Sequence, residues 1–246
     1  MAKSNLISKI KWDQKKEELI NNMEKYHKFF YERNVFRGPS YHFHKRALES
    51  EGDEKIEMVY AVLVSWGMHR MGPNGAKMKD YDEFHKSMKP LVTQIEHIKK
   101  IVSQKGTVQQ TFYDISDDLQ RIYNNVDVME SDVKIVGNSK VLAHYLPEIL
   151  SPIDRQYTLN FLTGNVDRTN FSEQFLSFEM FKKFHLEIVP NVINNSNFRT
   201  KAEKWLKDDN YYWDTSLPKI VDNLIIGKIA QEKFKRKASD LGLSES

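Results

Sequence analysis

Lys140 and Asp154 are the side chains whose types and setting best suit covalent chemistry. They lie in the most strongly punctuated stretch of the chain, residues 137–158 (GNSKVLAHYLPEILSPIDRQYT). Asn138 or Ser139 is expected to cap a helix that starts at Lys140. Pro152 breaks the chain, and Asp154 is expected to cap the helix after it. Helix N-termini carry partial positive charge. An ammonium in such a first turn is disfavoured, so Lys140 is expected to shed its proton more readily than a solvated lysine. A neutral amine can attack a sugar carbon and form a Schiff base. A carboxylate at the second N-terminus is held in its charged form and can stabilise an oxocarbenium-like centre. The plain alternative is structural, with Asp154 an ordinary N-cap and Lys140 an ordinary solvated lysine.

Three other clusters carry chemically useful side chains. In residues 65–77 (SWGMHRMGPNGAK), Trp66, His69 and Arg70 end an apolar helix. Gly72, Pro73 and Gly75 then make a tight loop before Lys77. Glycine-rich backbone with nearby cations suits a phosphate, although the spacing is not that of a nucleotide P-loop. The alternative is a helix stop with a glycine turn. Residues 36–46 (FRGPSYHFHKR) set Arg37, Tyr41, His42, His44, Lys45 and Arg46 together, a composition that suits base stacking and phosphate contact. His42 and His44 are two apart, so on a helix they do not share a face and make no metal pair. A solvated helix start explains the same residues. The basic end at 228–239 (KIAQEKFKRKAS) complements a helix dipole and offers a secondary contact for a nucleic-acid backbone. Residues 209–215 (DNYYWDT) read as an aromatic plug on the core, with a binding loop as the alternative.

Helices must position these groups. Residues 13–33 place Leu19, Ile20, Met23, Tyr26, Phe29 and Phe30 at spacings of three and four. Residues 53–70 are apolar on most faces, with Asp53 as the expected N-cap, which predicts a central helix. Helix 80–104 carries Phe84, Met88, Leu91, Ile95, Ile98 and Val102, with Pro90 as an expected kink or boundary. Further helices are expected at 111–124, 139–150, 154–163, 171–188, 198–207 and 216–238. In the last, Leu217, Ile220, Leu224 and Ile229 point inward. Two short apolar runs, 133–136 and 186–189, are the only candidate strands. The pattern predicts an all-α fold, with residues 1–246 as a single helical domain, in one or two lobes with a cleft between them.

Composition bounds the rest. The chain has 246 residues, 40% of them hydrophobic, and a net charge of +3. That balance permits a nucleic-acid partner without demanding one. There is no cysteine, which excludes disulfides, thiolate metal sites, iron–sulfur clusters and cysteine nucleophiles. The N-terminal residues lack the apolar run of a secretory signal. The apolar run at 59–66 (VYAVLVSW) is far short of the roughly 20 residues that a membrane span needs. A cytoplasmic location, no membrane association and no cofactor are expected. Serine-nucleophile, zinc-peptidase, dinucleotide and kinase signatures are absent.

The pattern at 137–158, a glycine, then a lysine heading an apolar helix, then Pro-x-Asp capping the next, resembles the helix-hairpin-helix DNA glycosylase superfamily. It is most similar to the lyase-active branch that includes 8-oxoguanine DNA glycosylases. The resemblance implies that DNA is the partner and that Lys140 attacks the deoxyribose C1′ with Asp154 assisting. Gly137 and Asn138 would belong to a phosphate-binding turn. Ser139, Arg155, Trp66, His69, Arg70 and Lys77 would be further DNA contacts around it. The alternative function is a non-catalytic helical module that binds nucleic acid or a protein. In that case the 36–46 and 65–77 clusters should matter and Lys140 should not.

Overall fold

The helical periodicity of the sequence is realised throughout the computed structural model, which describes residues 4–33, 39–70, 77–104, 108–131, 134–164 and 174–240. The α-helices are α1 (Ser4–Ser8), α2 (Trp12–Asn21), α3 (Met23–Arg33), α4 (Ser40–Glu49), α5 (Gly52–Ser65), α6 (Tyr81–Gln104), α7 (Val108–Asn125), α8 (Ile135–Tyr145), α9 (Asn160–Thr163), α10 (Gln174–Glu187), α11 (Val189–Ile193), α12 (Ser196–Trp205) and α13 (Leu217–Asp240). A π-helical turn, Arg155–Leu159, leads into α9, and short 3₁₀ turns occupy Met68–Arg70 and Asp209–Tyr211. Among the described residues there is no strand. One antiparallel bridge joins Met78 to Met129. The all-α class is therefore correct.

Amphipathic helices surround two buried ones. In α6, Phe84, Met88, Leu91, Ile95 and Ile98 form one buried stripe. In α7 the stripe is Phe112, Ile115, Leu119 and Ile122, and the two helices pack side by side. Every residue of α8 is buried, Ile135 through Tyr145. So is α13 from Pro218 to Ile229. These two helices carry the polar groups of the site into the interior.

Two glycines allow close packing that a side chain would block. A Cβ on Gly227 would lie 2.0 Å from the carbonyl oxygen of Tyr26, so α13 crosses α3 in near backbone contact. A Cβ on Gly137 would lie 2.7 Å from Val128 Cγ1 and 2.8 Å from Met129 Cγ. The segment that crosses Gly137 is itself pinned. Lys79 N–H donates to Val128 O at 3.1 Å, and Glu130 N–H donates to Lys77 O at 2.8 Å.

Several boundaries differ from expectation, for local reasons. The helix expected at 13–33 breaks at Asn22, whose side chain donates to Glu18 O and whose φ is −120°. The helix expected at 53–70 ends at Ser65, and Gly67 turns away with φ +77°. Asp53 lies in its first turn, with Glu51 as the N-cap residue. Pro90 sits on an exposed face inside a continuous α6 and is not a boundary. The run at 186–189 belongs to α10 and α11, and Ile135 and Val136 open α8, so neither candidate strand forms. Val133, Arg37 and Gly38 of the 36–46 cluster, and Gly72, Pro73 and Gly75 lie outside the described residues. The helix expected at 139–150 starts at Ile135 and ends at Tyr145. Pro147 explains its end. A residue before proline is driven out of the helical region, and Leu146 has φ −130°, ψ 55°.

Candidate functional site

The start of α8 at Ile135 changes the setting of the lysine. Lys140 lies in the second turn and not in the first, away from the N-terminus of its own helix. Instead it forms an ion pair. Lys140 Nζ donates to Asp154 Oδ2 at 2.8 Å. The lysine side chain is 8% exposed and the aspartate 26%, so the pair sits at the edge of solvent.

Asp154 is held from both sides. Its Oδ1 accepts from Gln156 N–H at 2.7 Å and so caps the π-helical turn, as expected from sequence. Its own N–H donates to Thr158 Oγ1 at 3.1 Å. Just upstream, Ile153 N–H donates to Ser139 Oγ at 3.0 Å, which ties the Asp154 loop to α8 one residue from Lys140. Burial raises the cost of the Asp154 charge. The Lys140 ammonium, its hydrogen bond, and the N–H groups of Gln156 and Tyr157 outweigh that cost. The carboxyl is held below its ordinary value.

Gly137, Asn138 and Ser139 do not form a cap or a phosphate-binding turn. They lie inside α8, where Asn138 N–H already donates to Lys134 O at 2.8 Å. The Asn138 amide donates to Tyr123 O at 2.7 Å and Val126 O at 3.0 Å. All three residues are buried, with Gly137 covered by Val128 and Met129. The polar side chains of Asn138 and Ser139 knit α8 to the end of α7 and to Ile153. Interior packing claims the glycine and the polar side chains that suggested a turn.

Trp66 is beside the pair. Lys140 Nζ lies 5.4 Å from the centroid of its ring, within cation–π range. Trp66 Nε1 is buried and finds no hydrogen-bond partner among the described residues. Next to it a chain of side chains runs from the 211–216 segment into α8. Thr215 Oγ1 and His44 Nε2 are 3.0 Å apart, His44 Nδ1 and His144 Nε2 are 2.9 Å apart, and His144 Nδ1 is 2.7 Å from Lys140 O. A carbonyl can only accept, so His144 Nδ1 carries the proton. His144 Nε2 must then accept from His44 Nδ1–H, and His44 Nε2 from the Thr215 hydroxyl. One tautomer set satisfies every bond with both rings neutral. Burial lowers the pKa of His44 well below its ordinary value, helped by His144 and Lys219. Burial likewise lowers His144 to about 4. Between these rings, Trp66 and Lys219 is a cavity of about 10 Å³, the space of one water molecule.

A second charged group lies behind the first. On α13, Lys219 Nζ donates to Asp222 Oδ2 at 2.7 Å and to Asn223 Oδ1 at 2.6 Å. Asn223 donates to Asp214 Oδ1 at 2.7 Å, and Asp214 Oδ2 is 2.6 Å from His27 Nε2. The carboxyls of Asp154 and Asp222 feel each other and share the field of Lys140, yet they shift apart. Asp222 is raised by burial, which outweighs Lys219, and the nearby Asp154 charge adds to the rise. Carboxyls pushed in opposite directions are a common property of acid–base sites. Sequence reading missed Lys219, Asp222 and His144, and took His44 only as part of the 36–46 cluster. The available signal was the polar triplet of Lys219, Asp222 and Asn223 inside the apolar run LPKIVDNLIIG.

Of the residues expected around the pair, the structure brings Trp66 to Lys140, and Arg155, the chain neighbour of Asp154, is exposed. His69 is exposed and its Nδ1 donates to Val64 O at 3.0 Å. Arg70 ends the 3₁₀ turn, and its side chain lies outside what is described. Lys77 is exposed and its carbonyl holds the 126–130 segment. His42 is exposed while His44 is buried, so the two do not share a face. The aromatic plug forms in part, with Trp213 buried and Tyr211 edge-on to His27, while Tyr212 is exposed. Among the described residues, no group of three acidic or histidine side chains is placed to hold a metal, and no helix is long and apolar enough to cross a membrane. Comparison of the chain with family models, curated proteins and solved structures finds no match.

Proposed function

We propose that the chain is a DNA base-excision glycosylase and abasic-site lyase that uses Lys140 as nucleophile and Asp154 as its partner carboxylate. The observation that carries the reading is the Lys140–Asp154 pair, 2.8 Å apart and at the edge of solvent beside Trp66. An extruded nucleotide would bring its sugar to this edge. Closure of DNA over the pair expels water and raises the cost of two separated charges. The ammonium proton then moves to Asp154 Oδ2, its nearest carboxylate oxygen, and leaves a neutral amine. Nζ attacks C1′, the N–C1′ bond forms, and the C1′–base bond breaks with its electron pair going to the base, which takes the proton from Asp154. The C1′–O4′ bond then breaks with its electron pair going to O4′, which takes a second proton from nitrogen, and the protonated Schiff base forms. Asp154, recharged, faces the cationic centre. The unpartnered Trp66 Nε1–H also supports the reading, because a buried donor without an acceptor is common where a ligand oxygen docks.

Borohydride trapping on duplex DNA carrying an abasic site tests this. Wild type should give a covalent adduct, and Lys140→Gln and Lys140→Arg should not. Equal trapping by all three would end the proposal. The second reading, a non-catalytic helical module, is favoured by the burial of Gly137, Asn138 and Ser139, which removes the expected phosphate cradle. It predicts binding without any adduct.

A further inference from the structure

We propose that the last two turns of α13, together with Tyr157 and Arg155, form the surface that grips the phosphodiester backbone of DNA. The assignment rests on the nucleic-acid reading above and supplies the phosphate contacts that the buried Gly137–Ser139 backbone does not. Residues 228–240 contain Lys228, Lys233, Lys235, Arg236 and Lys237 against Glu232 and Asp240. The chain's whole excess charge of +3 therefore resides in this one stretch, and the rest is neutral. Lys228 is buried and paired with Glu232 and Glu18. Lys233, Lys235, Arg236 and Lys237 are exposed.

Position gives the patch its meaning. Lys233 Nζ stands 4.9 Å above the ring of Tyr157. The backbone N–H of Tyr157 points at the Asp154 carboxylate. The basic strip thus runs directly from the ion pair to the helix end, with Arg155 exposed beside it. Beyond Lys233, Phe234 is 46% exposed, and the Arg33 guanidinium lies 4.0 Å above its ring. An exposed aromatic among cations offers a stacking face for an unpaired base. Dipole complementation acts only within the last helical turn, and Lys233 lies earlier than that. A membrane-seeking helix would need a free apolar face. The apolar face of α13 is already buried through Ile229, and among the described residues Phe234 is the one large apolar side chain exposed beyond it.

Fluorescence anisotropy with a labelled 20-base-pair duplex, titrated between 50 and 200 mM salt, tests the surface. The variant K233A/R236A/K237A is compared with K86A/K89A/K100A, which removes the same charge from exposed positions on α6. Each lost phosphate contact should lower the slope of log affinity against log salt by about 0.9. The α13 variant should therefore lose roughly 40-fold less affinity across that range than wild type, from three contacts. The α6 variant should keep the wild-type slope. Equal slopes in both variants would overturn the assignment. So would a wild type that ignores the duplex and binds phosphatidylserine vesicles through these residues. The chemistry is scored separately: an adduct with an unchanged slope sinks only the surface, and a changed slope without an adduct sinks only the lyase.

Discussion

Replacing the two members of the ion pair, singly and together, should reveal a coupling of about 1.5 kcal/mol in folding stability, given the range for charged hydrogen bonds. Lys140→Met removes the ammonium. Asp154→Asn removes the carboxylate charge and keeps an oxygen to accept the Gln156 N–H, so the cap survives. Breaking a fully buried pair costs about 3–5 kcal/mol. Here Asp154 is 26% exposed, so water can solvate part of its charge. Each single change should then cost about 2 kcal/mol, close to the value of one charged hydrogen bond. In a chain of this size that lowers Tm by roughly 4–8 °C. The double variant should cost clearly less than the two single losses combined. Urea unfolding at pH 7 measures the cycle. The sign of its pH dependence follows from the carboxyl. The folded pKa of Asp154 is depressed, so its contribution is present above the unfolded value of about 3.9. It is lost as pH falls through the lower folded value, and the coupling should vanish there. Acid effects common to all four proteins cancel within the cycle. A coupling below about 0.5 kcal/mol at pH 7, the usual error of additivity, would refute the pair as described.

The other predictions concern the frame around the pair. Gly227→Ala would drive a methyl into the Tyr26 carbonyl, which cannot rotate away, and should cost about 3 kcal/mol or more by urea unfolding. Gly137→Ala meets the side chains of Val128 and Met129, which can yield, so its cost should be smaller, about 1–3 kcal/mol. Stability should also fall with acid from pH 6.5 downward. His144 and His185 are depressed to about 4 by burial, and His44 well below 6.5, so each remains neutral when folded and gains a proton on unfolding. Each should contribute a slope of about 1.4 kcal/mol per pH unit between those limits, and a flat profile would contradict the neutral chain. Imidazole ¹⁵N shifts should show His144 as the Nδ1–H tautomer, since that nitrogen donates to Lys140 O.

Much of this was legible from residue spacing. The stripes of α6 and α7 are written at intervals of three and four, and Asp154 caps its turn as its place after Pro152 implied. The beginning of α8 was not legible. Gly137, Asn138 and Ser139 look like punctuation, but here the glycine admits Val128 and Met129, and the two polar side chains satisfy buried carbonyl and N–H groups. Local pattern cannot distinguish a cap from an interior polar residue when the partner lies in a distant segment. The same limit hid the pairing of His44 with His144, which meet across 100 residues. It hid the Lys219–Asp222 pair too, because a helix buried on every side has no amphipathic period to mark which charges face inward.

Mapping the trapped adduct is the most direct test of the central claim. Wild-type protein would be reduced with borohydride on abasic DNA, digested, and the modified peptide sequenced by mass spectrometry. The account predicts one adduct, on Lys140, abolished in Lys140→Gln and weakened in Asp154→Asn. An adduct on the N-terminal amine or on another lysine, with Lys140 unmodified, would contradict it.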